Sequence, residues 1–216
     1  MEQYLYAAQI TNTIRLMRFF LLSILILCFY IYFIFHYSFN FSTFAFNAWF
    51  LLSELGLAGC LFFNEMRFKP DQYSIQMAHR WIKLVCLLVG ISLGIGIALL
   101  YYFLPKYSLE MSTYQAIILA ALLVIISQTF ALTFLTQRLS YFSLVFIPAI
   151  VPYLISPLFF NRNTEPLFYL ATNFALICLL ICANTSMHMH RRLSSVYFKN
   201  NQLKKQAEQQ VAWTDQ

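Results

Sequence analysis

Residues 113–135 read TYQAIILAALLVIISQTFALTFL, an apolar run without one charged side chain. About 20 such residues cross the roughly 30 Å hydrocarbon core of a bilayer as an α-helix. Further runs of the same kind lie on either side, at Leu16–Tyr37, Phe44–Phe63, Ile82–Leu104, Tyr141–Phe160 and Leu167–Met187. Over the whole chain of 216 residues, 61% are hydrophobic and 10% are charged, against about 25% charged in soluble domains. A water-soluble core of this length has no room for so much apolar surface, so the solvent must be lipid. The expectation is an all-α, polytopic membrane protein built as a six-transmembrane-helix bundle. Its parts are a cytoplasmic N-terminal segment (1–15), the membrane domain (16–187) and a cytoplasmic helical linker (188–216).

Charge placement gives the orientation. Of the 14 Lys and Arg, only Lys106 and Arg162 fall on one side. Arg15, Arg18, Arg67, Lys69, Arg80, Lys83, Arg138, Arg191, Arg192, Lys199, Lys204 and Lys205 fall on the other. By the positive-inside rule both termini are expected in the cytoplasm, in a bacterial inner membrane. The formal net charge of +6 then describes topology and a basic inner rim facing anionic lipid. No basic soluble domain exists to bind nucleic acid. The first run is too long for a cleavable signal core and lacks a small-x-small site, so it is expected to stay as an anchor.

The loops are short. Asn64–Arg80 is the largest cytoplasmic connection, with Pro70-Asp71 as a turn or helix start. Leu104–Tyr107 and Asn161–Pro166 are too small for an outer binding domain. A ligand, whether a small molecule or membrane-borne, is therefore expected to act within the bilayer. The absence of an inverted repeat disfavours the common transporter designs.

Inside the spans, four features stand out. Glu54 lies near the middle of the second run; a charge there costs about 2.5–3.5 kcal/mol on insertion scales, so it needs an interior position, a proton or a partner. Gln128 and Asn173 are the expected partners by depth, and together the three are candidates for a ligand or proton site. The rival reading is a neutral acid hydrogen-bonded between helices. Pro148, Pro152 and Pro157 in the fifth run predict a kinked or broken helix, since each removes a backbone hydrogen bond that neighbours or water must replace. That kink is a candidate cavity lining. Gly90 and Gly94 are one turn apart and leave a bare face for close packing within the chain.

Signs of catalysis are missing. The five Cys (Cys28, Cys60, Cys86, Cys178, Cys182) all lie in apolar runs and read as small hydrophobes. The histidines His36, His79, His188 and His190 sit near the ends of runs, where an interfacial role is favoured over axial haem ligation. No phosphate-binding glycine loop, zinc spacing or paired acids occur. No cofactor and no metal are expected in this chain.

Beyond Met187 the sequence turns polar. Met189, Leu193, Val196, Asn200, Leu203 and Ala207 alternate by four and three, a heptad-like stripe with Asn200 at an inner position of the kind that sets register. The stripe lasts under three heptads, so a lone juxtamembrane helix stays open beside a dimeric coiled coil. No Pro or Gly interrupts Leu179–Val211, so one rod is expected to run from the last span outward.

The ending Leu203-Lys204-Lys205-Gln206-Ala207-Glu208-Gln209-Gln210-Val211-Ala212-Trp213-Thr214-Asp215-Gln216 resembles the helix that leads into a bacterial diguanylate cyclase (GGDEF) domain. In that family a Thr-Asp or His-Asp pair precedes x-Leu-Thr-Gly-Leu-x-Asn-Arg-Arg; Thr214, Asp215 and Gln216 match its first three positions. The membrane block is similar to the six-span sensory modules in front of such cyclases, through its proline-punctuated fifth span and a last span running into a basic helix. The resemblance implies a sensory module controlling cyclic di-GMP synthesis, not itself an enzyme, stopping where the cyclase would start. It also implies a homodimer through the C-terminal helix, with GTP and Mg belonging to the cyclase domain only. The alternatives are the sensor of a membrane histidine kinase, or a self-contained small transporter or membrane-assembly protein.

Overall fold

A computed structural model describes residues 2–33, 35–36, 43–68, 73–107, 113–135, 139–160 and 166–214. Among them every regular element is helical: α1 (Glu2–Phe33), α2 (Phe44–Arg67), α3 (Ile75–Tyr107), α4 (Thr113–Leu135), α5 (Leu139–Phe160) and α6 (Pro166–Thr214). Three of them contain segments long and apolar enough to cross a membrane, at Gln9–Phe33, Phe44–Arg67 and Ile75–Leu100. The described parts of α4, α5 and α6 add shorter apolar stretches, Ile125–Leu135, Ser140–Pro152 and Asn173–Met189.

Local chemistry accounts for the ends. Thr43 caps α2, its hydroxyl accepting from the Phe46 N–H at 3.3 Å, which satisfies one of the orphan donors of a helix start. Ser74 does the same for α3, accepting from the Met77 N–H at 3.2 Å. At its other end α2 closes with the Phe68 N–H donating to the Asn64 carbonyl at 3.1 Å.

α1 runs unbroken from Glu2 into the first apolar run, with Ile10 and Ile14 buried, because neither Pro nor Gly interrupts it. One boundary differs from expectation: Leu104–Tyr107, expected as a loop, forms the last turn of α3. A proline so close to a helix end gives up one backbone bond and leaves the rest intact.

The core is a layer of apolar side chains from α1, α3 and α5, with α2 flanking α1 and α3. The most extensive packing is between α3 and α5, which are separated in sequence by α4. α4 touches α1, α3 and α5, and α6 lies along α4 and α5 at the edge. Outward faces carry Ile26, Leu52, Leu55, Phe62, Phe174 and Ile181 in the open. Such a coat is unfavourable in water and suits contact with lipid.

The α1–α2 contact is aromatic. Tyr32 stacks on Phe50 with ring centroids 4.0 Å apart, and Phe46 lies 5.7 Å from Tyr32 and 5.4 Å from Trp49.

Candidate functional site

The helix seam between α3 and α5 joins two of the expected features. Pro148 and Pro152 have no N–H to give the carbonyls four residues earlier, those of Leu144 and Pro148. These are the oxygens that lie over the bare glycines of α3. A Cβ on Gly90 would meet the Leu144 oxygen at 2.5 Å, and one on Gly94 would strike the Pro148 oxygen. The hydrogen that glycine carries in place of a side chain therefore points at a proline-freed carbonyl, the arrangement of a Cα–H···O contact. In hydrocarbon, where no water is at hand, such a contact offsets part of the lost backbone bond. The four-residue spacing is the same on both helices, so the two contacts repeat in register.

Residue numbers rise together along this seam, from His79 beside Tyr141 to Gly94 beside Pro148, so α3 and α5 run parallel. The His79 Nδ1 and the buried Tyr141 hydroxyl are 2.5 Å apart and close one end. α5 itself is a continuous helix from Leu139 to Phe160, not a broken one. Its prolines are accommodated by the neighbouring helix. Pro148 and Pro152 are half-buried, and the side chain of Pro157 lies outside the described residues.

A second seam joins α2 to α3. The Trp49 indole N–H donates to the Ser92 carbonyl at 2.8 Å, and the Ser53 and Ser92 hydroxyls are 2.6 Å apart. The Trp49 ring occupies the space that a side chain on Gly96 would need. Beside this lock lies a groove of about 270 Å³, lined on α2 by Leu52, Ser53, Gly56 and Cys60 and on α3 by Leu88 and Ile91. Nothing in the sequence links Trp49 to Ser92, because the contact depends on how two separate helices dock.

Glu54, Gln128 and Asn173 are not gathered into one site. Glu54 is half-buried on α2, and one of its carboxyl oxygens is buried without a hydrogen-bond partner among the described residues. Gln128 is fully buried on α4, and neither atom of its amide finds such a partner. Asn173 is exposed on α6. α2 packs on α1 and α3, whereas α6 packs on α4 and α5, so the expected bridge from Glu54 to Asn173 has no shared helix face. Residues at similar depth in a bundle need not be neighbours, and depth was all the sequence supplied.

On α6, Leu193, Val196, Asn200 and Leu203 are all exposed, and the side chain of Ala207 lies outside the described residues. Thr214 ends the helix, and Asp215 lies outside the described residues. Among the described residues no group of His, Cys, Asp or Glu is arranged to hold a metal ion.

No protein-family model, curated protein or solved structure matches the chain.

Proposed function

We propose that the chain is a six-span sensory module of the bacterial inner membrane whose output is a diguanylate cyclase domain joined to α6. The observation that carries this reading is the length and continuity of α6, 49 residues without a break, or about 70 Å at 1.5 Å per residue. Leu176, Ala183 and Met187 bury its first half against the bundle. Farther along, Leu193 is 61% exposed and Leu203 62% exposed. A helix with packing contacts at one end and an open apolar stripe at the other suits a rod that carries a bundle rearrangement to a second copy. The parallel run of α3 and α5 supports a membrane crossing by α4 between them, and so supports the larger number of spans. The signal acts by favouring one of two bundle packings; Glu54, Gln128 and Asn173 are the polar groups on which a proton or small ligand would act.

The test is to attach an active diguanylate cyclase domain after Gln216 through inserts of one to seven alanines and measure cyclic di-GMP. Output should rise and fall with a period near 3.6 residues. A response that falls smoothly with length, or does not change, overturns the rod.

A further inference from the structure

One cleft belongs to neither seam. It has a volume of about 650 Å³ and opens between the first turns of the apolar part of α1 and the facing end of α2 and start of α3. Thr11, Arg15 and Arg18 line its α1 side, and Glu65, Phe68 and Tyr73 face them. Thr11, Arg15 and Arg18 are four and three apart, so one helix face presents a hydroxyl and two guanidinium groups to the opening. Both arginines are exposed, and the Arg18 guanidinium lies over the Phe19 ring, 4.7 Å from its centroid. A guanidinium stacked on a ring keeps its N–H edges available to an outside anion.

The position of the cleft along the helices identifies its surroundings. The membrane-length segment of α2 ends here, at Arg67, and that of α3 begins here, at Ile75, while the uninterrupted apolar run of α1 starts beside them at Leu16. These limits mark a boundary between hydrocarbon and water. Aromatic side chains agree with that level: Tyr73 meets Phe68 edge-on at 5.2 Å, and Trp81 lies 4.5 Å from Phe63. Tyr and Trp concentrate at the headgroup region. The Trp81 N–H also donates to the Asn64 amide oxygen at 3.3 Å, which fixes the wall of the cleft.

We infer that this cleft binds the phosphate of an anionic glycerophospholipid, held by Arg15 and Arg18. Guanidinium pairs phosphate through two parallel hydrogen bonds, more directionally than an ammonium does. Among the described lining residues, two arginines against one glutamate leave an excess positive charge, which selects an anionic headgroup over a zwitterionic one. Phe19 and Leu16 at the margin offer apolar surface to the first methylenes of an acyl chain. This inference concerns lipid alone and is independent of what α6 controls.

Native mass spectrometry of the full chain in neutral detergent tests it, with dioleoyl phosphatidylglycerol and dioleoyl phosphatidylcholine as probes. Retention of the anionic lipid should exceed that of the zwitterionic one by about 30-fold, the scale expected for two basic side chains at a membrane surface. Arg15→Gln with Arg18→Gln should abolish the preference, and Lys83→Gln, on an exposed residue outside the cleft, should not. Glu65→Gln should strengthen retention, a direction that a merely structural change would not produce, and it serves if the double variant fails to fold. Equal retention of the two lipids by the native chain overturns the proposal. So does an equal loss in Lys83→Gln, displacement by millimolar inorganic phosphate, or weaker retention in Glu65→Gln.

Discussion

At the scale of single residues, the glycines divide by what surrounds them. Gly56 and Gly59 have open space where a Cβ would go, whereas Gly90, Gly94 and Gly96 face a neighbour at once. Gly56→Ala should therefore leave stability unchanged or raise it by up to about 1 kcal/mol through helix propensity. Gly94→Ala should lower it by about 1–3 kcal/mol, because a backbone carbonyl has to move aside. Unfolding of the purified chain in mixed micelles measures both, and equal effects would contradict the seam. Gln128 gives a second contrast. Its amide is buried without a partner, so Gln128→Met, similar in volume, should stabilise the chain by about 1–3 kcal/mol; a loss of that size would mean that a ligand or water completes the site. The sequence marked Gly90 and Gly94 as a packing face because their spacing alone decides that. It could not identify their partner, and the Trp49–Ser92 bond had no signature, since docking between distant helices leaves no periodic trace.

At the scale of helices, α3 and α5 act as a pair. If the carbonyl freed by Pro148 rests on Gly90, then Pro148→Ala and Gly90→Ala should not be additive. Their coupling should reach about 0.5–3 kcal/mol, the range for residues in contact, in a double-mutant cycle read by the same unfolding assay. Effects that add within about 0.5 kcal/mol would separate the two residues. For α6, single cysteines at Leu193, Val196, Asn200 and Leu203, in a chain freed of its own cysteines, should form cross-linked dimers in membranes. Positions on the far side of the helix, such as Ser195, should cross-link several-fold less. Uniform cross-linking would argue for collisions and against a seam. The heptad pattern was visible in the residues; its exposure was not, because an apolar stripe reads alike whether it meets the same chain or a second one.

For the whole molecule, the run lengths were enough to anticipate the helices, and α4 and α5 lie where the apolar runs placed them. Burial of Ile10, Thr13 and Ile14 along the bundle was harder to foresee, because the segment around them is polar enough to resemble a free tail. Orientation can be checked directly. Reporter fusions after Arg67 and after Arg192 should report the cytoplasm, and a fusion after Lys106 should report the opposite side; any other pattern refutes the assigned topology. The parallel α3–α5 seam also sets a schedule for synthesis. The glycine face of α3 leaves the ribosome well before its proline-bearing partner, a wait of several seconds at about 5–20 residues per second. During that interval α3 must stay beside the insertion machinery or be shielded by α1. Slowing translation between the third and fifth helices should therefore lower the yield of assembled protein more than an equal delay placed after the fifth.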